Sequence, residues 1–135
     1  MVARGGAAGL WGRPEILFWA FVVLHAALWT VLPALLYPNP PLDIIEALVM
    51  GREWQFGYAK LPPLPWWSIE LMHRAVGLDA AYYVLAQLAV IAAFAAVWAT
   101  ARPLVGAAGA LVALLILDGL HYFNYTAAKF NHDVI

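Results

Sequence analysis

The sequence predicts an all-α, polytopic membrane protein with three transmembrane helices, the start of a fourth, and two interfacial amphipathic helices in its first outer loop. Three observations predict this class. Of the 135 residues, 65% are hydrophobic and only 11% are charged, whereas a soluble domain carries about 25% charged residues. Two long uncharged runs, of 22 residues (16–37) and 21 residues (80–100), each reach the roughly 20 residues that a helix needs to cross a bilayer. The prolines, aromatic residues and charges concentrate between those runs.

Charge and cysteine content exclude several other classes. The formal net charge is -1, so nothing indicates a nucleic acid partner. The absence of cysteine excludes disulfides and cysteine-ligated metals. The first apolar run is longer than the core of a signal peptide and lacks a suitable cleavage site, so we expect an uncleaved membrane anchor.

Punctuating residues divide the chain into segments. Pro14 and Glu15 suit the first turn of a helix, prolines 38, 40 and 41 stop it, and Arg102-Pro103 is predicted to end the second span. The third span must then pass Asp118 to cross the bilayer. The predicted order is a cytoplasmic tail (1–14), transmembrane helix 1 (15–37), an outer loop (38–78), transmembrane helix 2 (79–101), transmembrane helix 3 (103–123), and a second outer segment that begins a fourth helix (124–135).

The outer loop is predicted to contain two helices that lie in the membrane interface. The first runs from Leu42 to Met50, with Gly51 as its C-terminal cap. Asp43 and Glu46 are three residues apart and therefore share one face of it. The second runs over 65–77 and places tryptophans on its apolar side.

The arginines predict the orientation. Arg13 and Arg102 flank the ends assigned to the cytoplasm, and no lysine or arginine follows the first span closely. The positive-inside rule then places the N-terminus in the cytoplasm and the loop that carries Asp43 outside.

Two acidic sites fall on this outer side, Asp43 with Glu46, and Asp133 with its neighbours Asn131 and His132. Such carboxylates can act as a general base on an acceptor hydroxyl. They can also hold a divalent cation that neutralises a phosphate, although His132 and Asp133 alone do not define a metal site. No motif for an organic cofactor occurs.

Basic and aromatic residues of the loop are candidates for binding a donor. Lys60 and Arg52 could hold the phosphate of a donor lipid. The rings of Tyr58 and Trp66 could stack on a sugar or an isoprenoid chain.

Each of these residues also has a structural interpretation. Asp43 and Glu46 could be a solvated helix face, Lys60 a snorkelling side chain, and Trp66 with Trp67 part of a membrane belt. Two further polar residues lie in or near the spans. His25 is interpreted as a neutral histidine bonded to a neighbouring helix, and Asp118 as a charge at the outer interface.

Four segments together resemble a bacterial glycosyltransferase family 39 protein of the integral-membrane GT-C superfamily. That group includes protein O-mannosyltransferases and the aminoarabinose transferase that acts on lipid A. The segments keep the family's order and spacing, and they are Leu42-Asp43-Ile44-Ile45-Glu46, Gly51-Arg52-Glu53-Trp54, Gly57-Tyr58-Ala59-Lys60-Leu61-Pro62-Pro63-Leu64, and Tyr122-Phe123-Asn124 with Lys129-Phe130-Asn131-His132-Asp133.

The resemblance implies an inverting transferase in the bacterial inner membrane that moves a sugar from a polyprenyl-phosphate donor to a periplasmic acceptor. It implies that Asp43 is the catalytic or acceptor-orienting acid, that Glu46 supports it, and that Asp133 is the second-loop acid. The family's basic or histidine residue before Pro-Pro falls on Leu61, so Lys60 is expected to take that role. Family members are longer, so this chain is expected to be an N-terminal portion that is incomplete and inactive on its own.

Two other functions stay open at this point. One is a non-catalytic membrane scaffold, or a truncated remnant, whose loop carboxylates would tolerate replacement. The other is a transporter segment, which is disfavoured because transporters place ionisable groups at mid-membrane and only His25 is expected there.

Overall fold

The computed structural model describes residues 13–59 and 61–130, and over those residues the chain is helical and contains no strand. This confirms the predicted all-α class. The elements of the described part are α1 (Pro14–Leu36), α2 (Leu42–Gly51), α3 (Pro63–Val76), α4 (Ala80–Asp118), a π-helical turn (Tyr122–Thr126) and a 3-10 turn (Ala127–Lys129). In this part of the chain, two helices, α1 and α4, are long and apolar enough to cross a membrane.

Helix α1 begins and ends where its prolines require. Pro14 occupies the first turn with Glu15, where a missing N–H costs nothing and an acidic side chain is favourable. The helix ends at Leu36, and Tyr37 turns into an extended conformation that leads into the proline-rich segment. His25 lies at the midpoint of these 23 residues.

Helix α4 is not straight, because it reverses direction at Gly106. Phe94 and Asp118 both contact His25 of α1, although a straight helix would separate them by about 36 Å. Gly106 has φ 75 and ψ 174, a combination that is essentially restricted to glycine. The helix therefore consists of a first arm, residues 80–105, and a second arm, residues 107–118.

The observed break differs from the predicted one. Arg102-Pro103 was expected to end the second span, but the first arm continues through both residues and stops at Gly106. Proline is tolerated inside an apolar helix when neighbouring groups satisfy the freed backbone. The glycine conformation, rather than the missing N–H of Pro103, reverses the chain.

The predicted third helix, 103–123, is also shorter than expected. The second arm ends at Asp118, beside the midpoint of α1, and Gly119 to His121 are not helical. The chain then forms the π-helical and 3-10 turns, which return Phe123 to the ring of Phe94 at 5.7 Å between centroids.

Two apolar clusters hold these elements together. The hairpin cluster joins α1 to both arms of α4 and the 3-10 turn, and consists of Phe18, Val22, Val90, Phe94, Leu114 and Ala127. The loop cluster joins α2 and α3 to the first arm and to the end of the 3-10 turn, and consists of Ile44, Ala47, Trp66, Ile69, Tyr82, Tyr83, Ala86 and Phe130. Because both clusters include the first arm, the outer loop is fixed directly to the helical hairpin.

Helices α2 and α3 approach each other at Gly51. A Cβ atom added to Gly51 would lie 2.5 Å from the backbone oxygen of Trp66 and 2.9 Å from the Cβ of Glu70. No side chain fits at this position without moving backbone. Gly51 is thus required by helix packing, whereas the sequence had suggested a C-terminal cap. Gly77 has the left-handed conformation that ends α3.

Replacing Gly106 with alanine should destabilise the helical hairpin. A Cβ at Gly106 would meet no atom within 4 Å, so the cost comes from the backbone conformation alone and should be about 1–3 kcal/mol. The free energy of unfolding in mixed micelles measures this. Gly57→Ala is the matched control, since its added Cβ also meets nothing and its φ is not positive. Equal stability of the two variants would contradict a conformational role for Gly106.

Candidate functional site

An open cavity of about 380 Å³ lies where α1 ends and α2 begins. Two separate stretches of chain form it: residues 37–43, and the turns after α4. Its lining residues are Tyr37, Pro38, Asn39, Pro41, Leu42, Asp43, Tyr125 and Lys129. The cavity therefore combines a carboxylate, an amine, an amide and two phenol rings at one end of the first apolar helix.

Asp43 lies in the first turn of α2, and its side chain is half-buried. The positive end of the helix dipole favours a carboxylate at this position. Ile44 and Ala47 are buried in the loop cluster, and this burial fixes the rotation of α2. The face that carries Asp43 and the half-buried Glu46 is centred about 100° around the helix from them, at the edge of the cluster. Asp43 lines the cavity, as a catalytic acid would have to, and Glu46 lies one turn further along the helix.

Lys129 is the cation of this cavity among the described residues. It ends the 3-10 turn, and its Nζ lies 4.3 Å from the centroid of the Tyr125 ring. The next residue, Phe130, is buried in the loop cluster and anchors the turn beside α2. Lys129 begins the motif Lys129-Phe130-Asn131-His132-Asp133, but no role was predicted for it from the sequence. Its only signal was a charge in an otherwise uncharged segment between Asp118 and Phe130.

Two predicted donor-binding residues are not at this cavity. Arg52 is exposed and follows the opposite end of α2, about 14 Å along the helix axis from Asp43. Trp66 is only 5% exposed because it is part of the loop cluster. Its burial favours the packing interpretation over stacking on a ligand.

Tyr58 has a structural role in the loop that follows α2. Its hydroxyl donates to the backbone oxygen of Met50 at 2.9 Å and accepts the backbone N–H of Gln55 at 3.2 Å. Its ring contacts that of Trp66 edge to face. These contacts close the loop over residues 50–58.

Removing this hydroxyl should loosen the loop without altering the helices. Tyr58→Phe loses two hydrogen bonds that together contribute about 1–3 kcal/mol. Amide hydrogen exchange over residues 51–59 should become faster while exchange in α1 stays the same. Unchanged exchange in the loop would show that the two bonds do not restrain it.

The remaining predicted site residues, Lys60, Asn131, His132 and Asp133, lie outside the described residues. The separation between Asp43 and Asp133, and a cation held between them, thus stay predictions. Within 13–59 and 61–130, no group of three His, Asp or Glu side chains is placed to hold a metal ion.

An aromatic patch, defined by Trp54, Phe56 and Trp67, covers the other end of α2. The ring of Trp67 lies 6.0 Å from Trp54 and 5.5 Å from Phe56, centroid to centroid. Phe56 is 90% exposed. The guanidinium of Arg74 lies over the Trp54 ring and also pairs with Glu70 at 2.6 Å. Exposed aromatic rings of this kind suit the interface between water and lipid.

A second polar site lies halfway along α1. His25 Nδ1 lies 2.8 Å from Asp118 Oδ1, and His25 is 6% exposed. The two atoms are close but not aligned for a hydrogen bond, and His25 Nε2 has no partner among the described residues. Asn124 donates to the backbone oxygens of Asp118 and Leu120. A small cavity of about 130 Å³ borders these groups.

This site corrects two sequence interpretations. Asp118 was expected at the outer interface, but it lies beside the midpoint of α1. His25 was expected to be the one ionisable group in mid-span, and this was the ground for disfavouring a transporter. The broken helix places a carboxylate at the same depth, so that ground is removed.

The two side chains should be energetically coupled. Polar pairs between membrane helices are worth about 0.6–2 kcal/mol, so His25→Ala and Asp118→Ala should each destabilise the hairpin, and the double variant less than their sum. A double-mutant cycle on the free energy of unfolding measures the coupling. Strict additivity would show that the 2.8 Å contact contributes nothing to stability.

The helical hairpin contains two helices long and apolar enough to cross a membrane, and a cavity with an acid and an amine lies at one end of it; these features are those of the class of helical membrane proteins. Residues 60–135 match the family described as dolichyl-phosphate-mannose-protein mannosyltransferase. This is more than half of the chain, and the chain belongs to this family of GT-C-type membrane glycosyltransferases. The resemblance drawn from the sequence is thereby confirmed. No curated protein and no solved structure matches.

Only some of the residues that line the cavity lie in the range that matches the family. That range includes α3, α4 and the turns with Tyr125 and Lys129, whereas Asp43 and α2 precede it. The role of Asp43 therefore rests on the motif in the sequence and on its position opposite the matched turns.

Proposed function

We propose that this chain provides the first outer loop and the first membrane helices of an inverting glycosyltransferase that uses a polyprenyl-phosphate sugar. The acceptor is a hydroxyl group on a lipid, glycan or protein at the outer face. The observation that carries the proposal is that, in a chain of this family, Asp43 and Lys129 line one cavity at the end of the first apolar helix.

The chemistry requires a base and a group that stabilises the leaving phosphate. Asp43 accepts the proton of the acceptor hydroxyl as the acceptor oxygen bonds to the anomeric carbon of the sugar. The bond between that carbon and the phosphate oxygen breaks, and polyprenyl phosphate leaves with the electron pair. Inversion follows because the acceptor attacks the face opposite the phosphate. A positive charge beside the departing oxygen stabilises the transition state.

The arrangement of charges supports the proposed orientation, in which α1 and the first arm of α4 cross the membrane and the second arm returns along α1. Arg102 pairs with Glu15 at 2.5 Å, so Arg102 lies at the same end of the bundle as exposed Arg13. The cavity lies at the opposite end, beside Tyr37. The positive-inside rule then gives a cytoplasmic N-terminus and a periplasmic cavity in a bacterial inner membrane.

Asp43→Asn should lower kcat for sugar transfer at least about 100-fold, because the amide cannot accept the proton. The assay uses the full-length transferase of which this chain is proposed to be part, reconstituted in proteoliposomes with a polyprenyl-phosphate sugar, and it follows release of polyprenyl phosphate. Asp79→Asn is the matched control, since Asp79 is an exposed acid that makes no capping hydrogen bond at the start of α4. Full activity of Asp43→Asn would remove Asp43 from the catalytic role, whereas a wild-type protein that transfers no sugar would favour a non-catalytic scaffold.

A further inference from the structure

We propose that Lys129, positioned over the ring of Tyr125, binds the phosphate of the lipid-linked donor in the Asp43 cavity. The inference rests on the proposed function and deepens it, because it assigns the donor phosphate to a residue of the second outer segment. The first-loop position before Pro62-Pro63, where the family resemblance expected a basic residue, does not supply this group.

The position of Lys129 is fixed from both sides. Ala127 and Ala128 are buried, Phe130 is anchored in the loop cluster, and the backbone N–H of Phe130 donates to the oxygen of Ala127 at 3.0 Å. The 3-10 turn between these residues leaves Lys129 facing the cavity. Contact between its Nζ and the Tyr125 ring at 4.3 Å orients the ammonium.

The charged groups among the described lining residues are the ammonium of Lys129 and the carboxylate of Asp43. Within the described part of the chain, Lys129 contacts an aromatic face and forms no ion pair. Asp43 is the carboxylate among the lining residues. A sugar phosphodiester carries one negative charge, and the polyprenyl phosphate that leaves carries about 1.5 to 2. A lysine beside it therefore stabilises the product state more than the donor.

Two described residues of the first loop are placed less well, while Lys60 lies outside the described residues. The side chain of Leu61 packs against the loop cluster, which explains why an apolar residue occupies that position. Arg52 belongs to the far end of α2. Lys129 is the basic side chain that the described structure brings to the cavity of Asp43.

The rim of the cavity favours a lipid phosphate over free phosphate. Tyr37 and Leu42 line it and are 41% and 78% exposed, respectively. Tyr37 directly follows the last residue of the apolar helix α1. An isoprenoid chain can thus lie against an apolar rim at the membrane boundary while its phosphate reaches Lys129.

Binding measurements in nanodiscs test the assignment. The protein is titrated with undecaprenyl phosphate and, separately, with the matched polyprenol, and the Kd of each is measured. We expect the phosphate to bind more tightly than the alcohol. Lys129→Gln should weaken phosphate binding about tenfold or more, since a hydrogen bond to a charged group contributes about 1.5–3 kcal/mol. Polyprenol binding should stay the same, and Lys129→Arg should retain most of the phosphate affinity.

Arg13→Gln is the matched control for loss of one positive charge, because Arg13 is exposed at the opposite end of α1. It should leave both affinities unchanged. Unchanged thermal stability of Lys129→Gln, together with its retained binding of polyprenol, separates loss of the phosphate contact from loss of the fold.

The outcomes distinguish this inference from the proposed function. If the wild-type protein and Lys129→Gln both bind undecaprenyl phosphate more tightly than polyprenol to the same extent, the donor class stands and the role of Lys129 is overturned. If the wild-type protein binds phosphate and alcohol equally, the proposed donor itself is overturned. If inorganic phosphate displaces the lipid at equal concentration, the assignment to a lipid headgroup fails.

Discussion

The reversal of the chain at Gly106 is the constraint on which the arrangement of the site depends. The reversal brings the second arm of α4 back along α1, and only then can the turns after Asp118 reach the loop cluster. Phe130 completes that cluster with residues of α2 and α3. The position of Lys129 beside Asp43 is therefore a consequence of a backbone conformation at the other end of the bundle, which only glycine adopts without strain.

The early end of the second arm creates a need that the polar residues of the bundle meet. A helix that ends among apolar helices leaves backbone oxygens without partners, and in lipid these must be satisfied internally. Asn124 donates to the last of them, that of Asp118, and also to the oxygen of Leu120 in the following turn, while the Gly119 N–H donates to the oxygen of Leu115 at 3.0 Å. His25 meets the carboxylate of Asp118 at the same level. The polar residues of this region thus provide partners for polar groups exposed where the helix ends.

The sequence predicted the features that depend on neighbouring residues. Uncharged runs identified α1 and the first arm of α4, the prolines marked the end of α1, and the three-residue spacing of Asp43 and Glu46 placed them on one face of α2. It did not predict features that depend on pairing between distant segments. His25 and Asp118 look like isolated polar residues until the hairpin joins them. Lys129 is a candidate site residue only because it lines the same cavity as Asp43, which is remote from it along the chain. Similarly, Tyr58 was a candidate for stacking on a ligand, and the bond from its hydroxyl to a backbone oxygen is one that no side-chain pattern reveals.

The contact at Gly51 couples the cavity to a residue that does not line it. Because the backbone of α3 fills the space where a side chain of residue 51 would lie, a larger residue there would push the C-terminal end of α2 away from α3. Asp43 belongs to the same helix, about two turns earlier. The orientation of the proposed base in the cavity therefore depends on a glycine that does not line it.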